Sequence, residues 1–124
     1  MATAKSYFAE KLKFEIDPWG VEKLLDGKEN TYLVLDVRNR EAYDEGHIPK
    51  AKNIPIDKLA YGSRKLPKDK MIIVYCYNVA CFRATRAALE LAKNGFKVME
   101  MAGGFDEWRK HGYKIEKIHK QKKD

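Results

Sequence analysis

The sequence predicts an α/β domain with a central, mainly parallel sheet of about five strands and helices on both faces. Two observations carry this prediction. The near-continuous apolar runs "YLVL" and "MIIVY" are typical of strands buried on both faces of a parallel sheet. Segments with helical spacing or helix-terminating residues separate these strands along the chain.

The N-terminal segment predicts a helix and then an edge strand. Residues 1–13 are mixed and polar, and we expect a loosely amphipathic turn or helix that packs on the domain through Phe8 and Leu12. In "KFEID", Phe14 and Ile16 alternate with charged residues, which indicates a short, half-exposed strand.

The middle of the chain alternates helical and extended segments. Asp17 and Pro18 supply an N-cap and a favoured first helical residue, and Gly27 ends that helix. "TYLVLDVR" is the first buried strand, "REAYDEGHI" is a short helix closed by Gly46, and "AKNIP" is a short strand. "IDKLAYGSRKLP" indicates an irregular helical connection to the next buried strand, "MIIVYC".

The C-terminal third predicts a helix, a strand and a last helix. Gly95 lies where the first helix should stop, "FKVMEM" is the last strand, and "FDEWRKHGY" is the last helix after a tight turn at Gly103-Gly104. One face of the first helix carries apolar residues at helical spacing: Ala84, Ala87, Ala88, Leu91 and Ala92.

Length and composition limit the class of protein. The 124 residues fit one domain over residues 1–124. Two cysteines, no signal-peptide pattern and no long apolar run exclude a disulfide framework and a membrane span, so we expect a cytoplasmic protein. The net charge of +7 is concentrated near the C-terminus, where residues 109–124 hold seven Lys/Arg and two acids. We expect residues 117–124 to form a solvated tail, and its lack of interleaved aromatic residues argues against nucleic-acid binding.

Chemically capable residues follow both buried strands. Asp36 and Arg38 come after "YLVL", and Cys76 comes after "IIVY". Ligands of open parallel sheets bind beyond the carboxyl ends of the strands. We therefore expect these three residues at one rim of the sheet.

The segment from Cys76 to Cys81 predicts a loop that runs into a helix. Backbone N–H groups and the positive end of that helix would surround the Cys76 sulfur, lower its pKa and form an anion cradle. A free cysteine is also a common core residue, but one at the exit of a strand is better placed for chemistry. Cys81, beside Phe82, either packs under the helix or serves as a resolving thiol.

Metal and nucleotide sites are not predicted. His47, His111 and His119 are scattered without ligand spacing, and Cys-x4-Cys alone is a weak metal signal. Gly103-Gly104 is not followed by the Lys-Ser/Thr of a phosphate-binding loop. We expect neither a metal nor a cofactor.

Three segments together resemble the rhodanese-like sulfurtransferase domain. They are "LVLDVRNREAYDEGHIPKAKNIP", then "IIVYC" with its loop and helix, then "GFKVMEMAGGFDEWRKHGYKIE". The resemblance covers roughly residues 14–116. It implies a rhodanese-like fold in which Cys76 is the nucleophile that accepts sulfane sulfur as a persulfide and passes it to a thiol acceptor, a small molecule or a protein.

The resemblance also assigns the neighbouring residues. Asp36 and Arg38 would lie near the loop and help to orient it, while residues 46–49 and Trp108 would be structural. The active-site loop, which would bind the donor, comprises Tyr77, Asn78, Val79, Ala80, Cys81, Phe82 and Arg83.

The loop departs from the family pattern. Many members have an arginine where this chain has Cys81, and here the arginine arrives at Arg83. The loop is also apolar, so we expect weak or altered use of thiosulfate among small anionic or persulfide donors. Two alternatives stay open: a non-catalytic module that docks a partner, and a thiol redox or phosphatase-type enzyme that uses Cys76 with Cys81 or Arg83.

Overall fold

The computed structural model describes residues 2–119, in which strands and helices alternate. The strands are β1 (Glu15–Ile16), β2 (Tyr32–Asp36), β3 (Lys52–Asn53), β4 (Met71–Tyr75) and β5 (Lys97–Met101). The α-helices are α1 (Ala4–Phe14), α2 (Pro18–Asp26), α3 (Arg40–Glu45), α4 (Leu59–Gly62), α5 (Arg83–Lys93) and α6 (Gly104–Lys110). Two 3₁₀ turns, Ile56–Lys58 and Ser63–Lys65, flank α4, so the connection is irregular as predicted.

The five strands form one sheet in the order β1-β5-β4-β2-β3. Each pair of neighbouring strands in the described part of the chain is parallel, with Val34 opposite Ile73 and Ile73 opposite Met99. The predicted α/β fold with a five-stranded parallel sheet is confirmed.

Helices cover both faces because the central strand is apolar on both sides. In β4, Ile72 and Val74 join the core cluster formed with α4 and α5, whereas Ile73 and Tyr75 join the cluster formed with α2 and α6. Trp108 of α6 is buried in the second cluster, and its indole N–H donates to the carbonyl of Lys114. Burial of both faces explains why the strand lacks the usual alternation of apolar and polar residues.

The N-terminal helix differs from the prediction. Thr3 and Ser6 form a capping box, and α1 then continues through Phe14. Phe8 and Leu12 are 58% and 81% exposed, so the prediction that they pack on the domain is wrong. Phe14 is also exposed and lies in the helix, and the predicted strand "KFEID" shortens to the two residues of β1 that pair with β5.

The C-terminal segment is attached to the domain further along than predicted. Glu116 and His47 exchange two backbone hydrogen bonds of 2.9 Å, and the N–H of Ile118 donates to the carbonyl of Asp44. Residues 117–119 are exposed, and this backbone hydrogen bond of Ile118 attaches the start of the expected tail to the domain. Residues 120–124 of that tail lie outside the described residues.

Among residues 2–119, no helix combines the length and the apolar character that crossing a bilayer requires.

Candidate active site

The carboxyl ends of β2 and β4 bring the predicted site residues to one rim. The two strands are neighbours in register, with Asp36 opposite Tyr75, and the N–H of Val37 donates to the carbonyl of Tyr75 at 3.1 Å. Arg38 lies two residues beyond Asp36, and Cys76 directly follows Tyr75. The sheet topology thus places Asp36, Arg38 and Cys76 close together, as parallel neighbours must.

Asp36 and Arg38 form a buried ion pair below the loop. Asp36 is 0% exposed and Arg38 is 4% exposed. The Arg38 guanidinium donates from Nη2 to Asp36 Oδ2 at 2.7 Å and from Nε to Asp36 Oδ1 at 3.0 Å. Tyr75 donates its hydroxyl to the same carboxylate, and Arg38 Nη2 also donates to the carbonyl of Gly46. The pair therefore joins β2, β4 and the end of α3.

Arg38 also contacts aromatic rings that lead to the loop. Its guanidinium carbon lies 4.2 Å from the ring centroid of Phe105 and 5.7 Å from that of Tyr77. Guanidinium groups at such distances are attracted to the π-face. Through Arg38 the ion pair therefore contacts Tyr77, which directly follows Cys76.

The loop after Cys76 turns back on itself before α5 begins. The N–H of Cys81 donates to the carbonyl of Asn78 at 3.1 Å, and the N–H of Ala80 donates to the Asn78 side chain at 3.0 Å. Phe82, the N-cap of α5, has no side-chain acceptor, so the first-turn amides stay available to the sulfur atoms. Tyr77 and Cys81 are half-buried, whereas the remaining loop residues are exposed: Asn78, Val79, Ala80, Phe82 and Arg83.

The start of α6 holds the other side of the loop, which the sequence did not reveal. The N–H of Phe105 donates to the carbonyl of Cys76 at 2.8 Å, and the N–H of Asp106 donates to the carbonyl of Tyr77 at 2.9 Å. Gly104 has φ +65°, and a Cβ there would lie 2.8 Å from backbone atoms of Cys76, Tyr77 and Asn78. The sequence indicated a tight turn at Gly104. The backbone of Gly104 also approaches the loop so closely that a side chain would not fit, which is a second reason why this position requires glycine.

The Cys76 thiol is buried and hydrogen-bonded in this arrangement. Cys76 is free and 2% exposed, and its Sγ donates to the carbonyl of Cys81 at 3.3 Å. Burial, followed by hydrogen bonding with the Cys81 side chain, raises the pKa of the Cys76 thiol to about 11. Hydrogen bonds from the N–H groups of Ala84 and Tyr77 lower the pKa of Cys76, but burial and the Cys81 side chain raise it by more. The expectation that the loop lowers the Cys76 pKa is therefore wrong, because burial was not visible in the residue spacing.

The pKa of the Cys81 thiol is shifted in the opposite direction. Burial raises the pKa of its thiol, but hydrogen bonds from the Cys76 thiol and from the N–H groups of Arg83 and Tyr77 outweigh it. The positive charge of Arg83 adds to these, and the pKa of Cys81 is lowered from its ordinary value. Cys81 also packs against the core cluster beside α5, so its side chain faces both the core and the loop.

The two pKa shifts predict a measurable pH dependence. Below a pKa of about 11 the thiolate fraction of Cys76 rises about tenfold per pH unit, and alkylation by iodoacetamide should rise with it. Replacing Cys81 with alanine removes the thiol whose hydrogen bond and charge raise the Cys76 pKa, and it keeps the backbone carbonyl that accepts the Cys76 hydrogen bond. We expect the alkylation profile of Cys76, followed by peptide mapping, to move to lower pH in this variant. An unchanged profile would contradict the coupling, and Ala92→Ser, at an exposed position outside the loop, is the control.

Two openings, one with acidic and one with basic lining residues, meet at the loop. A cavity of about 200 Å³ beside Cys76 and Cys81 has Glu15 and Glu100 among its lining residues, and Glu15 is paired with Lys11 at 2.7 Å. On the outer side, an open groove of about 440 Å³ is lined by Cys81, Phe82, Arg83 and Arg86. Cys81 borders both openings, whereas Cys76 borders the acidic cavity.

Arg83 is the first residue of α5, as predicted. Its guanidinium carbon lies 5.2 Å from the ring centroid of Tyr77. Arg83 lines the outer groove and not the cavity beside Cys76. The positive charge of Arg83 therefore acts on molecules that approach the loop from outside, and not on molecules inside the cavity.

A larger cleft lies on the far side of Tyr77. Its volume is about 520 Å³, and its lining includes Arg38, Asn78, Arg109 and Lys117 but neither cysteine. In the part of the chain that the structure describes, no three His, Cys, Asp or Glu residues come together in a way that suits a metal ion.

Comparison with known proteins identifies similar chains. The sequence model of the rhodanese-like domain matches residues 20–111. The chain is 35% identical over 85 residues to a thiosulfate sulfurtransferase, GlpE, of Coxiella burnetii, and this match covers 68% of the chain and 78% of the relative. It is 30% identical over 102 residues to a sulfurtransferase of Allochromatium vinosum, covering 82% of the chain and 92% of that protein.

A solved structure gives the same comparison in three dimensions. The chain superposes on the BH2092 protein of Bacillus halodurans with a TM-score of 0.88 and 38% sequence identity. The superposition covers 92% of this chain and 84% of the other.

Proposed function

The chain belongs to the rhodanese-like domain family, and from this premise we propose that it is a sulfurtransferase in which Cys76 accepts sulfane sulfur as a persulfide and passes it to a thiol acceptor. One observation carries the proposal. Cys76 follows β4 at the carboxyl rim of the sheet, and the N–H groups of Tyr77 and Ala84 act on its sulfur. These donors stabilise negative charge at the position where a nucleophilic thiolate and its persulfide carry it.

Cys76 reacts as the thiolate, so its thiol first loses its proton to solvent, and the N–H groups of Ala84 and Tyr77 stabilise the charge that forms. Cys81 raises the pKa of this thiol and therefore does not serve as its base. The Cys76 thiolate then attacks the sulfane sulfur of the donor. The donor's S–S bond breaks and its leaving group departs with the bonding electrons. An acceptor thiolate then attacks the outer sulfur and Cys76 departs as the thiolate, so that one transfer is divided into two steps.

The charges around the cavity favour persulfide donors over thiosulfate. Glu15 and Glu100 line the cavity beside Cys76. Lys11 pairs with Glu15 at 2.7 Å, so the negative charge that opposes entry of a dianion is mainly that of Glu100. Val79 and Phe82 leave the exposed loop surface apolar. A persulfide on a small thiol or on a protein carries less charge at the reacting sulfur, and it can use this apolar surface.

Mass spectrometry tests the proposal directly. The reduced chain is incubated with thiosulfate or with a small-molecule persulfide, desalted, digested without reductant and mapped. We expect a gain of one sulfur atom on the peptide that contains Cys76. No gain with any of several donors would contradict the proposal and favour a non-catalytic binding module.

Replacing Arg83 with methionine should reduce thiosulfate use selectively. Arg83 contributes positive charge to the groove on the outer side of the loop. We expect kcat/KM for thiosulfate to fall about three- to tenfold, with less change for a persulfide donor, which carries less charge than thiosulfate. Steady-state assays with both donors measure this difference, and Arg64→Met is a control because Arg64 is exposed and lies outside the loop. Equal losses with the two donors would contradict a charge role for Arg83.

A further inference from the structure

The loop brings a second thiol to the candidate nucleophile. The Cys76 Sγ lies 3.3 Å from the carbonyl oxygen of Cys81, and both residues line the same cavity of about 200 Å³. The turn at Asn78 reverses the chain between them. Both cysteines are free in this structure.

We propose that Cys81 is a resolving thiol whose thiolate attacks the Sγ of the Cys76 persulfide, releasing hydrosulfide and leaving a Cys76–Cys81 disulfide. This inference rests on the proposed function, because it requires a persulfide on Cys76. It adds a second activity to the sulfur transfer, the reductive release of sulfide.

The step balances without an external oxidant. The bond between Cys76 Sγ and the outer sulfur breaks, and a bond between Cys81 Sγ and Cys76 Sγ forms. With the persulfide protonated, the outer sulfur leaves as HS⁻ with its proton and the bonding electrons. The outer sulfur is reduced to sulfide while the two cysteines reach the disulfide level. A dithiol reductant, or two equivalents of a small thiol, then restores both thiols.

The surroundings of Cys81 suit an attacking thiol better than a packing residue. N–H groups of Arg83 and Tyr77 and the Arg83 charge stabilise its thiolate, and Cys81 also borders the open outer groove. A thiolate near neutral pH attacks a disulfide-like sulfur faster than a protonated thiol does. The sulfur under attack belongs to Cys76, and the hydrogen bond from the N–H of Phe105 to the carbonyl of Cys76 helps to fix the backbone of that residue.

A single-turnover experiment tests the inference on the full chain. The reduced protein is loaded with a small-molecule persulfide, freed of all thiols and followed by intact mass and by sulfide detection. In the wild type we expect the one-sulfur adduct to decay as a species lacking two hydrogen atoms appears, with about one sulfide released per chain. In Cys81→Ser the adduct should persist and decay at least about tenfold more slowly. Ala92→Ser, a change at an exposed position of α5 outside the loop that keeps both thiols, should behave as the wild type.

The outcomes separate this inference from the proposed function. Equal decay of the adduct in wild type and Cys81→Ser, without a Cys76–Cys81 disulfide in the peptide map, would overturn the inference and leave the transferase proposal standing. A first adduct on Cys81 instead of Cys76 would overturn it as well, because the roles of the two thiols would be reversed. Absence of an adduct in every variant contradicts the proposed function, and the inference is withdrawn with it.

Discussion

Replacing Cys76 with serine is expected to abolish sulfur transfer, with turnover reduced about 10³-fold or more. The serine oxygen cannot form a persulfide, and its hydroxyl is far less acidic than a thiol. The substitution is nearly isosteric and Cys76 is buried at the end of β4, so we expect the free energy of unfolding to change by less than about 1 kcal/mol. Steady-state transfer assays and the mass of the desalted protein measure the loss.

The second cysteine supplies the matched control for this result. Cys81→Ser should still gain one sulfur on the peptide that contains Cys76, because the proposed acceptor of the first transfer is Cys76. The opposite pattern, with sulfur on Cys81 in the Cys76→Ser variant and none on Cys76 in the Cys81→Ser variant, would show that Cys81 is the nucleophile. A separate denaturation curve for each variant distinguishes lost chemistry from lost fold.

Replacing Arg38 with methionine is expected to destabilise the fold by about 3–5 kcal/mol. The substitution removes the cation that neutralises Asp36, a carboxylate with 0% exposure, and leaves the carbonyl of Gly46 without the donor Nη2. Chemical denaturation measures the change in the free energy of unfolding. Arg64→Met is the control, since an exposed arginine should contribute within about 0.5 kcal/mol.

A double variant tests the cause of that loss. Adding Asp36→Asn to Arg38→Met removes the unpaired buried charge, and the asparagine oxygen can still accept the hydroxyl hydrogen bond from Tyr75. We expect the double variant to be more stable than Arg38→Met alone. A double variant that is equally or less stable would assign the loss to packing around Phe105 and not to the charge.

The sequence predicted most of the fold because the central strands are buried on both faces. β2 and β4 are continuous apolar runs, and their signal does not depend on which helix covers them. The edge strand β1 was harder to predict, since two paired residues leave little pattern and the capped helix α1 extends through Phe14. Exposure of Phe8 and Leu12 could not be inferred from an apolar stripe alone.

The sequence predicted those residues of the candidate site whose location follows from the ends of β2 and β4. Cys76, Asp36 and Arg38 reach one rim because parallel neighbours end on the same side. The contribution of α6 was missed, because Phe105 and Gly104 approach the loop through space from the next strand-to-helix connection. The direction of the Cys76 pKa shift was missed for a related reason, since burial is a property of packing and not of spacing.

The hydrogen bonds from α6 divide the loop into two parts. The carbonyls of Cys76 and Tyr77 are held by the N–H groups of Phe105 and Asp106, so the backbone of the candidate nucleophile is preorganised by folding. The exposed part, from Asn78 to Phe82, presents the surface that an incoming molecule meets first. Substitutions in the exposed part should therefore alter which donors are accepted, whereas substitutions at Gly104 should alter how well every donor reacts.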